Sequence, residues 1–145
     1  MKAATLWRGI ERYLRLGPNG GPSIANPVLP ANGFLVYQFR MSEFISVHIT
    51  ASSPAEAEKI ASKLVEEKLA ACVNILPGAK SIYRWEGKIE TAAEAVLIAK
   101  TRADLFEALN RRVKALHSYS CPCIVALPII DGDQAYLGWL AAETK

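Results

Sequence analysis

The stretch Phe44-Ile45-Ser46-Val47-His48-Ile49-Thr50, followed two residues later by Ser53-Pro54-Ala55-Glu56, decides how this chain is read. Ile45, Val47 and Ile49 alternate with Ser46, His48 and Thr50. That period of two belongs to a strand with one face on a core. Ser53 is then placed to cap a helix, Pro54 suits its first position, and Glu56 completes a capping box. Ala57, Ile60, Ala61, Leu64, Val65 and Leu69 recur at helical spacing to about Ala70. A strand therefore leads directly into an amphipathic helix.

The pattern repeats downstream. Residues 71–76 read as a second strand stopped by Pro77-Gly78, residues 81–86 as a third turned by Gly87, and residues 94–100 as a fourth with an apolar centre. Thr101 and Asp104 open a second helix with Leu105, Phe106, Leu109, Val113 and Leu116 on its inner face. Residues 123–127 form the last main strand, ended by Pro128, and a short helix from Asp133 to about Ala142 closes the sequence. Strand–helix–strand followed by strand–helix–strand predicts the α+β ferredoxin-like, or split βαβ, arrangement. Its antiparallel sheet carries two helices on one face and leaves the other uncovered. Tyr83, Trp85, Tyr136 and Trp139 are more aromatic surface than a lone domain of this size exposes comfortably, which predicts self-association.

Composition fits one such domain. The chain has 145 residues, 51% of them hydrophobic and 21% charged, which excludes a disordered polymer. No apolar run reaches the ~18–20 residues that span a bilayer, so no membrane partner is expected. Three cysteines are too few for a disulfide framework, so a reducing, cytoplasmic setting is the expectation.

The net charge of +3 is misleading as a nucleic-acid signal. Residues 1–40 carry Lys2, Arg8, Arg12, Arg15 and Arg40 against Glu11, whereas residues 41–145 carry 12 Lys or Arg against 13 Asp or Glu. The domain itself gains little from neutralising phosphates, and no nucleic-acid partner is expected. Residues 1–40 read as an N-terminal extension, either an upstream in-frame start or a flexible arm, ahead of a domain at 41–145. Within it, Leu6, Ile10 and Leu14 suit a short basic helix over residues 3–16, and residues 34–39 a short strand. The Gly- and Pro-rich run between them suits neither a helix nor a central strand.

Several separated blocks are similar to the CutA divalent-cation-tolerance family over about residues 44–142. They are Leu69-Ala70-Ala71-Cys72-Val73-Asn74-Ile75 into Pro77-Gly78, then Ser81-Ile82-Tyr83-Arg84-Trp85-Glu86-Gly87-Lys88-Ile89-Glu90, then Glu94 with Lys100-Thr101. His117-Ser118-Tyr119, Pro122, Ala126-Leu127-Pro128 and Tyr136-Leu137-Gly138-Trp139 follow in order. The resemblance implies a ferredoxin-like subunit in a tight homotrimer with extended hairpins packed between subunits. It also implies a role in tolerance to copper and other divalent metals, without catalysis. Copper-binding members use a Cys near the end of the first strand and two adjacent His after the second helix. Those positions are Ile49, Leu116 and His117 here, so only His117 remains.

His117, Cys121 and Cys123 are the chemically notable cluster, because imidazole and thiolate suit copper(I) or zinc. Glu94 is the carboxylate expected to face a subunit-interface cleft near them. These four are the candidate metal ligands, for copper or another divalent cation that folding does not require. Against this, C-x-C lacks the spacing of structural zinc sites. Buried core cysteines, and an interfacial Glu94 salt bridge to Lys88 or Arg84, are the plainer readings. No G-x-S-x-G, Walker A or H-E-x-x-H sequence occurs. The rival function is a small-ligand signalling or scaffold trimer analogous to the PII regulators, without a metal role.

Overall fold

The structure is a computed structural model that describes residues 25–28, 36–39 and 42–145. Two short strands, β1 (Ala25–Val28) and β2 (Val36–Phe39), pair antiparallel with Ala25 opposite Phe39 and Val28 opposite Val36. β1 includes Pro27, inside the Gly- and Pro-rich run where the sequence suggests no central strand. A two-stranded ribbon has only edges, where a missing N–H need not break a ladder. The helix expected over residues 3–16 lies outside the described residues.

Residues 42–145 form a separate compact unit. Its elements are β3 (Phe44–Ala51), α1 (Pro54–Glu66), β4 (Cys72–Trp85), β5 (Lys88–Arg102), α2 (Phe106–Leu116), β6 (Ile124–Pro128) and α3 (Gln134–Glu143). The sheet order is β4-β5-β3-β6, antiparallel throughout. β3 and β4, joined by α1, are therefore split by β5, as the ferredoxin-like expectation requires.

The core lies between the sheet and helices α1 and α2. Val47, Ile49 and Ala51 of β3, Leu97 and Ala99 of β5, Ile60 and Leu64 of α1, and Leu109 and Val113 of α2 are all fully buried. Of the anticipated α1 stripe, Val65 falls outside the core and Leu69 packs against it only partly buried. The helix ends at Glu66, Lys68 takes a left-handed φ of 56°, and Leu69 and Ala70 donate back to the Leu64 carbonyl at 2.9 and 3.1 Å. Val65, still within the helix, faces solvent, and Leu69, beyond its end, is half-buried against the core.

The sheet's second face is not wholly bare. Phe44 alternates with Ile45 and so points away from α1 and α2. Leu140 of α3 is fully buried and packs with Phe44, Ala71, Ile129 and Leu137. Asp133 caps α3 by accepting from the Tyr136 N–H at 2.9 Å. Val125 and Leu127 of β6 remain exposed.

The middle of the chain forms two long strands where the sequence pattern suggests three. Pro77-Gly78 bends β4 without ending it. Leu76 pairs with Val96 and Ala79 with Glu94, so β4 carries one extra residue there, and Gly78 takes φ +78°. This is a β-bulge, in which an unpaired residue kinks a strand and lets the ladder resume. Beyond it the hairpin runs past the end of β3 as a two-stranded arm of residues 79–94. Glu86 and Gly87 close the arm at φ 46° and 82° in a two-residue turn between Trp85 and Lys88. Positive φ at both positions matches the right-handed twist of the flanking strands.

Candidate functional site

The loop between α2 and β6, residues 117–123, packs against the base of the arm. Its first anchor is Glu56, in the opening turn of α1. The capping box forms, with a displaced return bond. Ser53 Oγ accepts from the Glu56 N–H at 3.2 Å, but the Glu56 carboxylate reaches past Ser53 to Ser52. There it accepts from the backbone N–H at 2.8 Å and from the hydroxyl at 2.7 Å. The other carboxylate oxygen accepts from the Ser118 N–H at 2.6 Å. Burial pushes this carboxyl up, but the hydrogen bonds from Ser52 and Ser118 outweigh it and hold the group down at about 2.

His117 is the second anchor. Its side chain is fully buried. Nδ1 accepts from the Tyr119 N–H at 3.0 Å, which leaves Nε2 to carry the proton that it donates to the Thr50 carbonyl at 2.7 Å. Both ring nitrogens are thus engaged in holding the loop to the end of β3. Tyr119 follows, its ring centroid 5.0 Å from that of His117.

Tyr119 carries the loop to Glu94. Glu94 lies on β5 beside the bulge and is only 7% exposed. Ser81 Oγ donates to its carboxylate at 2.5 Å. Burial, then the Glu94 charge and a hydrogen bond to it, raise the Tyr119 phenol. Burial and the same charge raise the Cys123 thiol. Tyr83 is raised by burial, by the charge and hydrogen bond of its cross-strand partner Glu90, and then by Glu94. Ser81, Tyr83, Glu90 and Glu94 share one face of the arm because the pairing resumes after the bulge with Ala79 opposite Glu94.

The four residues singled out from sequence are therefore only partly gathered. Cys123 lies within the field of the Glu94 charge, and Cys121 and Cys123 are exposed on either side of Pro122. His117 turns away from them toward Thr50. Among the described residues, no three His, Cys, Asp or Glu side chains lie together in a way that would hold a metal ion. Arg84 donates to the Gly87 carbonyl at 3.0 Å in the turn, and no bond joins it to Glu94 in this chain. Cys72 is half-buried and sits 3.3 Å from the Tyr136 hydroxyl; that bond, with burial and the charge of Cys72, pushes the phenol up to about 12. Tyr136 in turn packs on Trp139, ring centroids 5.4 Å apart.

Ser81 and Glu56 are the site residues that sequence reasoning missed in these roles. The Ser81–Glu94 contact depends on the register after the bulge, which a pattern of apolar positions does not carry. The Glu56–Ser118 bond joins residues 62 apart in sequence.

This arrangement defines a small α+β domain of the ferredoxin-like class, with a polar site where a loop meets an extended hairpin. Residues 45–143 match the family model for the CutA1 divalent ion tolerance protein, and the chain belongs to that family. It is 48% identical over 101 residues to the protein CutA 1, chloroplastic, of Oryza sativa subsp. japonica. That match covers 70% of this chain and 57% of the plant protein. It is 53% identical over 98 residues to the divalent-cation tolerance protein CutA of Thermus thermophilus, covering 68% of this chain and 95% of that one. The solved structure of the divalent cation tolerance protein (Cut A1) from Thermus thermophilus superposes with a TM-score of 0.70 at 51% identity. It covers 70% of this chain and 99% of its own. No helix among the described residues is long and apolar enough to cross a membrane.

Proposed function

We propose that this chain serves divalent-metal tolerance as a non-catalytic homotrimer in which the Cys121 and Cys123 thiols hold a soft metal ion, copper first among them. The observation that carries the metal reading is the pair of exposed thiols flanking Pro122, one of them within the field of the Glu94 carboxylate. Thiolates select copper(I) and zinc over harder cations. Burial, and after it the Glu94 charge, raise the Cys123 thiol, and the same negative charge favours an arriving cation, which binds by displacing the thiol proton. His117 acts here as the clamp that sets the loop, since both its nitrogens are engaged. A ligand from a neighbouring copy completes the coordination sphere. Free thiols suit a reducing compartment, for which the cytoplasm is the simplest choice.

The trimer reading rests on the arm. Ile82 and Ile89 on one of its faces and Tyr83 and Trp85 on the other are exposed. A lone two-stranded hairpin is marginal in water. Packing three arms together buries both faces at once.

Two measurements test this function. Copper(I) competition against a chelator should show the Cys121→Ser/Cys123→Ser double variant binding at least about tenfold more weakly than the wild type, as expected for losing both soft ligands. Equal affinity rejects the thiols. Sedimentation equilibrium should give three times the chain mass at micromolar concentration; a folded single chain rejects the trimer.

A further inference from the structure

Glu94 is the one carboxylate among the described residues that is more than nine-tenths buried. Ser81 donates a hydroxyl hydrogen bond to it, which stabilises the charge without cancelling it, and the Tyr119 phenol lies within the field of that charge. The ion pairs among the described residues are made elsewhere: Lys63 with Glu66, Arg102 with Asp104, and Arg112 with Glu67. A carboxylate withdrawn from water without a counter-charge is costly, and a site built this way is complementary to a cation.

The surroundings say which kind. A metal ion would need several carboxylate, imidazole or thiolate ligands converging, and the described residues provide no such group here. An ammonium or guanidinium group needs one carboxylate and gains from aromatic faces beside it. Tyr119 comes from the loop, Tyr83 from β4 of the arm, and Trp85 follows Tyr83 on the same face.

We infer that Glu94, held by Ser81 and sharing its face of the arm with Tyr83 and Trp85, is the receptor for an ammonium or guanidinium group. That group arrives either on a free small molecule or on a lysine or arginine of a second copy of this chain. The inference does not depend on the thiols, and it gives the small-ligand reading a definite place in the fold.

The test uses the full chain, wild type and Glu94→Gln. Each is titrated calorimetrically with arginine and with putrescine, with sodium chloride as the ionic control, and its mass is followed by sedimentation. For a free ligand, the wild type binds one of the two probes saturably, and Glu94→Gln weakens binding at least about tenfold at unchanged mass. For a second copy, neither probe binds, and Glu94→Gln lowers the association constant at least about tenfold. If neither probe binds the wild type and association is unchanged in Glu94→Gln, the inference is overturned. Should Glu94→Gln fail to fold, Tyr83→Leu takes its place at an exposed position. Loss of that ring's cation contact should cost about threefold in the same readout, and an unchanged value overturns the inference equally. Copper(I) competition on Tyr83→Leu, which leaves Glu94 and both thiols in place, stays at the wild-type level, so the thiol reading succeeds or fails separately.

Discussion

β5 lives in two environments. From Ala95 to Arg102 it alternates between buried and half-buried residues, with Leu97 and Ala99 fully withdrawn from water against the helices. From Lys88 to Ala93 every residue but Ala92 is exposed. Backbone pairing with β4 is continuous across both halves apart from the bulge. What differs is the layer above: α1 and α2 cover the first half, and no element of residues 42–145 covers the second. Hydrogen-bonded pairing gives a strand its shape, whereas packing gives it stability.

That contrast can be broken or sharpened by substitution. The largest effect is expected in the body. Leu97→Ala removes a fully buried side chain and should cost about 2–5 kcal/mol in urea unfolding. A loss below about 1 kcal/mol, the usual range for surface sites, would put Leu97 outside the core.

Glu56 should come next. Its folded carboxyl sits at about 2 against an ordinary value of 4.5. A depressed carboxylate stabilises the fold above its unfolded pKa, and that stability fades as pH falls from about 4.5 through 2. The wild type should therefore lose up to about 3 kcal/mol across this window, and Glu56→Gln should lose measurably less. Parallel pH profiles for the two proteins would remove Glu56 as the latch of residues 117–119.

Ser53→Ala deletes the hydroxyl that caps α1 and should cost about 1 kcal/mol by thermal unfolding. An unchanged melting temperature would mean that Glu56 and Ser52 hold the helix start without it. Ile82→Ala on the arm is the smallest. Within a dissociated chain it should shift unfolding by less than about 0.5 kcal/mol, as for other exposed sites. A core-sized loss at that position would erase the distinction between the two halves of β5.

The body is legible in the sequence because its signals are local. The alternation of residues 44–50, the Ser53-Pro54 helix start and the apolar spacing of α1 each depend on near neighbours in sequence. The arm is harder to read. Pro77-Gly78 has the chemistry of a stop, and it acts as a bend because the following residues find partners on β5 that outweigh the break. Glu94 reads as a carboxylate facing a subunit-interface cleft near His117, whereas its bond to Ser81 depends on the register after the bulge and its proximity to Tyr119 on tertiary packing. His117 draws attention as a ligand type; its burial and its two backbone bonds become visible only once Thr50 and Tyr119 are placed around it. The third helix bears on a face that pattern reading leaves open, since nothing in residues 134–143 says which side of the sheet they will meet.

The extra residue at Pro77-Gly78 has one more implication. Because the ladder absorbs a single surplus position between Leu76 and Ala79, excising Gly78 would leave each cross-strand couple from Ala79–Glu94 to Trp85–Lys88 matched as before. Only the direction in which the hairpin leans would change. Evolution can therefore re-aim this projection toward a different neighbour by adding or dropping one residue, without rewriting the chemistry it displays.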